Sequence, residues 1–230
     1  INDIFDLESD KQHPYKSKRP LASGEISKTL AMSLAAVLFL AGLSLGCLAS
    51  RDFLWALTAY ICITSAYSAY LKRLLMADVV TLGILYSLRV LGGGYATGIE
   101  VSEWLLGFSM FVFLSLACLK RFSELRGLRL ANEHGVMGRD LEQISQVGTA
   151  CGYISVLVLA LYIQSGDVPH LYKHARLLWL ICPLLLYWIG RVWILAHRGL
   201  VHEDPIVFAL RDRTSYLVGA AAAALILAAT

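Results

Sequence analysis

Apolar residues along this chain gather into long runs bounded by charge. They show neither the two-residue alternation of a half-buried strand nor the one-sided 3.6-residue pattern of a helix resting on a soluble core. Seven such runs lie at roughly 29–50, 53–71, 76–98, 104–119, 143–165, 177–196 and 214–230. About 20 mainly apolar residues cross a bilayer as a helix, so each run predicts a membrane span, with ends uncertain by a few residues. The alternating segments of about ten residues that build a membrane barrel do not fit runs of this length. The expected fold class is therefore all-α, a polytopic membrane helix bundle. Gly92-Gly93-Gly94 and Pro183 interrupt two of the runs, which is tolerable where neighbouring helices or a cavity satisfy the backbone.

Composition narrows this picture. Of 230 residues, 57% are hydrophobic and only 16% charged, and the mean hydropathy is +0.62. Disorder is excluded, a soluble enzyme is disfavoured, and no stretch remains for a separate soluble domain. The expectation is one membrane domain over 1–230, with a polar segment 1–28 before seven spans. The chain opens without Met in an acidic stretch, and the expectation is that part of the domain precedes it. A net charge of +3 is too small to suggest a nucleic-acid partner. Sorted by alternate sides of the spans, sixteen of the twenty Lys and Arg fall on one side and three on the other, with Arg89 inside a span. That bias predicts a multi-pass protein of the cell membrane whose opening segment and basic loops face the cytoplasm. The five cysteines all lie in apolar runs without a CxxC pair, which reads as small apolar filler.

The remaining charges form four constellations. Asp3, Asp6 and Asp10 stand at i, i+3 and i+7, with Asn2 beside them. On a helix their carboxylates line one face, where they repel one another unless a cation neutralises them, and an all-oxygen set suits Mg²⁺. The alternative is a solvated face whose acids favour a helix N-terminus. Tyr67-Ser68-Ala69-Tyr70-Leu71-Lys72-Arg73 ends the second run; it is either a phosphate-binding end or snorkelling cations beneath an aromatic belt. Lys120 and Arg121 close the fourth run, with Glu124 following. This pair would repel a metal and favour phosphate, or Lys120 simply pairs with Glu124 at i+4. In the last basic loop, His197, His202, Glu203 and Asp204 invite a metal assignment, but Gly199 breaks the helical register between the histidines. A lid or interface loop in which Arg211 or Arg213 contacts phosphate is preferred. Arg89, deep in a span, is a functional candidate by default whose partner is expected on another helix.

Asn2-Asp3-x-x-Asp6-x-x-x-Asp10 followed by Arg19-Pro20-Leu21-x-Ser23-Gly24 resembles the first aspartate-rich motif and following loop of the UbiA superfamily of intramembrane prenyltransferases. The resemblance implies nine helices, with the motif at the end of the second, so seven spans would be present here. It implies Mg²⁺ held by Asp3, Asp6 and Asp10 on a diphosphate leaving group. It also makes Lys72 a catalytic cation on the substrate diphosphate, with Tyr67 or Tyr70 as a hydrogen-bonding neighbour. Where most of the superfamily carries a second aspartate-rich box, this chain has Lys120-Arg121-x-x-Glu124-Leu125. That string, and Leu210-Arg211-Asp212-Arg213, is similar to the polyprenyl-phosphate phosphoribosyltransferase branch. The implied donor is 5-phosphoribosyl diphosphate and the implied acceptor a polyprenyl phosphate. Asn2, Arg19, Tyr67, Lys72, Lys120, Arg121, Glu124 and Arg211 are the expected phosphate-binding set.

Two other functions stay in view. One is transfer of an allylic prenyl group from diphosphate to an aromatic or other acceptor. The more distant one is a non-enzymatic transporter or receptor-like bundle, against which the polar residues gather at one face and not near the midplane. The final run has no lysine for a retinal Schiff base, and the Asp-Gly-x-x-Ala-Arg start of CDP-alcohol phosphotransferases does not occur. The expected partners are a polyprenyl lipid, a diphosphate donor and the bilayer; the oligomeric state is left open.

Overall fold

A computed structural model describes residues 7–12, 16–74, 76–131, 137–166, 168–201 and 204–230. Its elements are α1 (Leu7–Gln12), α2 (Lys28–Ala49), α3 (Arg51–Ala69), α4 (Ala77–Thr97), α5 (Glu103–Ala131), α6 (Met137–Gln164), α7 (Val168–Leu171), α8 (Ile181–His197), α9 (Pro205–Arg211) and α10 (Arg213–Ala229), with short 3₁₀ turns at Lys16–Lys18, Leu71–Arg73 and Ala175–Leu180. Among the described residues there is no strand. All seven apolar runs are helical, and the all-α membrane class holds.

Among the described residues, five segments are long and apolar enough to cross a membrane: Lys28–Ala49, Ala77–Thr97, Glu103–Arg126, Asp140–Gln164 and Ala175–His197. The other two expected spans are helices in the expected places. However, α10 has only 17 residues, and α3, with 19, is diluted by Thr58, Tyr60, Thr64, Ser65, Tyr67 and Ser68.

The chain clusters into two units, one of residues 1–81 and 88–100 and the other of 82–87 and 101–230. In the first, α2 and α3 form an antiparallel hairpin around Ser50, whose hydroxyl accepts from Phe53 N at 3.0 Å and donates to the Tyr95 carbonyl at 3.2 Å. One hydroxyl thus caps α3 and ties it to the end of α4. Most of the large side chains of α2 are exposed, among them Leu30, Leu34, Leu38, Leu40, Leu45 and Leu48, as a lipid-facing helix requires. The glycine triplet at 92–94 does not interrupt α4. The helix continues to Thr97 and stops at Gly98, whose φ of 69° is in the left-handed region and whose N–H reaches the Gly94 carbonyl.

In the second unit, α5 and α6 contain 29 and 28 residues, about 43 Å at 1.5 Å per residue, well beyond the ~30 Å of hydrocarbon. The apolar run of the fourth span covers only 104–119. The helix runs on through Lys120, Arg121, Glu124 and Arg126, because these residue types are good helix formers and nothing stops them at the membrane boundary. Their charges therefore sit on a rigid helix. Two glycines set the packing of α6. A Cβ on Gly148 would overlap the Trp193 ring and lie 2.5 Å from Cys118 Cβ, and one on Gly152 would lie 2.6 Å from Ile189 Cγ2. Close approach of this kind is how membrane helices associate when lipid is as apolar as their side chains. Trp193 fills the junction, its indole N–H donating to Ser115 Oγ at 3.2 Å.

Pro183 falls in the first turn of α8, where its missing N–H removes no intrahelical bond. Further along α8, Arg191 makes a two-pronged ion pair with Asp212, Nη1 to Oδ2 at 2.7 Å and Nη2 to Oδ1 at 3.0 Å. Asp212 is also the cap of α10, accepting from Ser215 N and Oγ at 2.9 and 2.8 Å, and Ser215 Oγ in turn accepts from the Trp188 indole at 2.9 Å. The Arg191 guanidinium foremost, with the Ser215 donors, holds the Asp212 carboxyl below the ordinary carboxylate range against the opposing effect of burial. Asp212→Asn is expected to lower the unfolding temperature in detergent at neutral pH. Because the folded value is the depressed one, this contribution is present above about pH 4 and disappears as pH falls through the folded value below it. Melting wild type and variant in parallel from pH 7 downward should show the two curves converging at acid pH. A pH-independent gap would show that the pair does not act through its charge.

Candidate functional site

Of the acidic stripe, Asn2, Asp3 and Asp6 lie outside the described residues, as does the side chain of Asp10, whose backbone belongs to α1. The loop after it is well formed. Ser23 N donates to the Arg19 carbonyl at 2.8 Å and Ile26 N to that of Pro20 at 3.0 Å, and Ser23 Oγ also donates to the Pro20 carbonyl at 3.3 Å. Gly24 takes a φ of 84°, a conformation open to glycine at little cost. Ser27 then caps α2 through Leu30 N. The Arg-Pro-Leu-x-Ser-Gly string is thus a tight turn that brings half-buried Arg19 to the start of a membrane helix.

In the same unit, α3 unwinds at Tyr70 into the 3₁₀ turn that carries Lys72. Lys72 and Tyr67 are half-buried and Ser68 is buried, whereas Tyr70 is 62% exposed; of the two tyrosines expected as neighbours, Tyr67 is the one held in the packing. Asp78, absent from the expected site set, is 5% exposed at the start of α4, its carboxylate accepting from Val79 N at 2.7 Å. Six residues after Lys72 and in the first turn of a helix, it carries a readable signal of proximity to the basic turn. Arg89 donates to the Tyr60 hydroxyl on α3 at 2.6 Å, which answers the expectation of a partner on another helix.

The second unit carries the other cations. The i, i+4 pair between Lys120 and Glu124 is not the ion pair formed. Lys120 Nζ leaves its helix for Asp204 Oδ2 at 3.1 Å, and Arg121 takes Glu124 at 3.5 Å. Asp204 immediately precedes Pro205, the first residue of α9, an acid-proline start legible in sequence whose partner is not. Glu124 therefore meets a cation at this end of the molecule. Arg211 ends α9 and is exposed. Arg126 closes α8 by donating to the Ala196 carbonyl at 2.9 Å and packs beside Gly199, whose φ is 75°.

His197 has both ring nitrogens engaged. Nδ1 stands 2.8 Å from the Trp193 carbonyl, an acceptor only, so that nitrogen bears the proton; Nε2 then accepts from Ser145 Oγ at 3.0 Å. With Phe122 against its ring at 4.7 Å, this histidine is committed to helix packing. Asp204, the acid suggested alongside it as a ligand, is bound to Lys120. Each unit thus presents half-buried cations of the kind that bind phosphate, Lys72 in the first and Lys120 and Arg121 in the second. The molecule is a polytopic helical membrane protein with basic helix ends.

Residues 1–229 match the UbiA prenyltransferase family, and the chain belongs to that family. It is 35% identical, over 96% of its length and 44% of the relative's, to the uncharacterized protein y4nM of Sinorhizobium fredii. Nodulation protein NoeC of Azorhizobium caulinodans is 32% identical over 94% of this chain and 72% of its own. Decaprenyl-phosphate phosphoribosyltransferase of Mycolicibacterium smegmatis is 33% identical over 55% of this chain and 40% of its own. The chain thus spans less than half the length of the first and third. Its fold is that of a UbiA homolog from Archaeoglobus fulgidus whose structure was solved bound to GPP and Mg²⁺, with a TM-score of 0.68 and 19% identity over 99% of this chain and 79% of that one.

Proposed function

We propose that the protein is an integral-membrane transferase that moves a group from a diphosphate donor to a polyprenyl acceptor, with 5-phosphoribosyl diphosphate as donor and a polyprenyl phosphate as acceptor. The observation that carries this reading is the cationic end of α5, Lys120 and Arg121 on a continuous helix, where the superfamily's usual second acidic box would stand. Both substrates of such a reaction bring phosphate, and cations suit it better than carboxylates. Similarity to the decaprenyl-phosphate enzymes over half of the chain supports the same choice. The basic ends would face the cytoplasm from the cell membrane.

Asp3, Asp6 and Asp10 form an all-oxygen donor set of the kind Mg²⁺ takes, and the ion would supply charge stabilisation on the leaving diphosphate. The chain's own residues do the rest. Lys72 and Arg19 hold the donor diphosphate, Tyr67 orients it, and Lys120, Arg121 and Arg211 hold the remaining phosphate charge while Glu124 positions Arg121. The bond from the anomeric carbon to the diphosphate oxygen breaks, its electron pair leaving with diphosphate. A lone pair of the lipid phosphate oxygen forms the new carbon–oxygen bond. Catalysis is electrostatic, since the fixed cations meet charge that grows on the leaving oxygen.

The test is to incubate the full-length protein with Mg²⁺ and labelled phosphoribosyl diphosphate plus polyprenyl phosphate, and in parallel with an allylic diphosphate plus an aromatic acceptor. A labelled lipid from the first pair is expected; product only from the second would replace the phosphoribosyl reading with the prenyl one. Changing Lys120 and Arg121 together to Ala is expected to lower kcat/KM for the donor by more than about tenfold, roughly 1.4 kcal/mol or above. A shift in melting temperature alone, with kinetics intact, would reduce these residues to the packing role that the Asp204 and Glu124 pairs also allow.

A further inference from the structure

Lys120 on α5 and Asp204 at the start of α9 belong to one unit, and their side chains are 40% and 30% exposed. A lysine at a membrane boundary has no reason of its own to hold one direction. Its charge is a point on a flexible four-carbon stem, and near the end of a span such a stem snorkels toward water or headgroups. Here Nζ is instead held 3.1 Å from Asp204 Oδ2. The other titratable groups that face the ammonium are Glu124 on α5 and Tyr86 on α4. The Tyr86 ring is itself set in place by stacking on Phe113, with centroids 5.0 Å apart.

Asp204 has a fixed place. Pro205 after it is buried, and its carbonyl accepts from Phe208 N at 2.9 Å in the first turn of α9, a helix that packs against α5 and α10. The far end of α9 is fixed as well. Asp212 N donates to the Phe208 carbonyl at 2.9 Å, the Tyr216 hydroxyl donates to the Leu210 carbonyl at 2.6 Å, and the Asp212 carboxylate holds Arg191 on α8. Ion pairs thus tie this segment down at both ends, Asp204 to α5 and Asp212 to α8. A carboxylate on such a strap passes its own fixed position to the Lys120 ammonium.

A carboxylate that holds a cation has two opposed effects on an anionic ligand. Neutralisation weakens the attraction, whereas preorganisation removes the cost of ordering a long side chain when the ligand arrives. The geometry favours the second. An ammonium has three hydrogens to donate, and Asp204 engages it through a single oxygen, which leaves hydrogens for phosphate. Because the pair is partly exposed, water screens the mutual attraction and the ammonium stays within reach of a ligand.

We propose that Asp204 is a positioning residue for Lys120: from the start of α9 it aims the ammonium at a phosphate of the bound substrate. This deepens the proposed function and rests on its reading of Lys120 as a phosphate-binding cation. Asp204 has further interactions besides this pair, so weaker binding in Asp204→Asn alone would not separate positioning from support of the loop. The coupling between the two residues does.

The test is a double-mutant cycle on the full-length protein in nanodiscs with Mg²⁺. The Kd for 5-phosphoribosyl diphosphate, and in parallel for geranyl diphosphate, is measured for wild type, Asp204→Asn, Lys120→Ala and the two together. Asp204→Asn is expected to raise Kd about fivefold when Lys120 is present and by less than about twofold when it is absent, a coupling of the size usual for residues in contact. Equal factors in both backgrounds, as a purely structural role gives, would overturn the proposal. Tighter binding by Asp204→Asn would overturn it too, since the carboxylate would then compete with the ligand. So would wild-type affinity in Lys120→Ala, or no binding of either diphosphate to wild type. Should Asp204→Asn fail to fold, Asp204→Glu takes its place, keeping the charge and lengthening the arm by one methylene. A Kd raised about twofold with Lys120 present and unchanged without it supports positioning, and wild-type affinity overturns it. Coupling seen with geranyl diphosphate alone would refute the phosphoribosyl reading and leave Asp204 in its role; phosphoribosyl transfer by a protein that shows no coupling would do the reverse.

Discussion

Full-length protein carrying Asp3→Asn or Asp6→Asn is expected to lose Mg²⁺-dependent turnover by about two to three orders of magnitude, the usual scale for removing one fixed electrostatic contribution to a transition state. Asn keeps the size and most of the hydrogen-bonding capacity of Asp but removes the charge. On a helix, three carboxylates at i, i+3 and i+7 repel by a few tenths of a kcal/mol per pair when no cation is present. The same substitution should therefore leave the melting temperature unchanged or slightly raised in the presence of a chelator, and abolish the rise that Mg²⁺ brings to wild type. Opposite movements of turnover and metal-free stability separate a metal site from a solvated helix face, which would change neither. Retained turnover in both variants would remove the acidic stripe from the mechanism.

Gly148→Val is expected to prevent correct packing of the second unit. A Cβ at this position would lie 2.5 Å from Cys118 Cβ and within the Trp193 ring. Trp193 is 4% exposed and is held by Ser115, so neither neighbour is the loose end of a flexible chain. Relief requires α6 to move away from both α5 and α8, sacrificing the contacts of Gly152 with Ile189 and Ser115 one turn on. Overpacking of a tight core typically costs about 1–3 kcal/mol, and Val adds two methyl groups beyond the atom that already overlaps. A loss at the upper end of that range or above should appear as aggregation on extraction or a large fall in melting temperature. Gly219→Val on α10, where a Cβ meets nothing within 4 Å, serves as the control and should melt with wild type. If Gly148→Val also melts with wild type, the close approach of α6 to α5 and α8 is wrong.

These two experiments draw on different kinds of information. The acidic stripe is a matter of spacing along the chain, and Asp3, Asp6 and Asp10 are legible as a set from the order of residues alone. The same is true of the helices: runs of about 20 apolar residues have few alternatives in a bilayer, because every backbone N–H must be satisfied within its own segment. Helix ends are less legible. The apolar run of the fourth span stops at 119, but Lys, Arg and Glu carry α5 on to Ala131, since hydropathy reports where lipid ends and not where a helix does.

What tertiary structure decided is which charge meets which. Lys120 has a partner in sequence, Glu124 at i+4, yet it reaches Asp204 from a loop more than eighty residues away. Arg191, a cation inside a span by composition, is neutralised by Asp212 at the head of α10. Arg89 meets Tyr60 on α3. Side chains on different helices come together through the rotation of each helix about its axis, and small residues such as Gly148 set that rotation and the approach distance. The sequence by itself determined that this is a membrane helix bundle of the UbiA kind with acidic and basic motifs between its spans. Only packing decided which of those charges neutralise one another, because pairing depends on distances across helices that no spacing along one helix encodes.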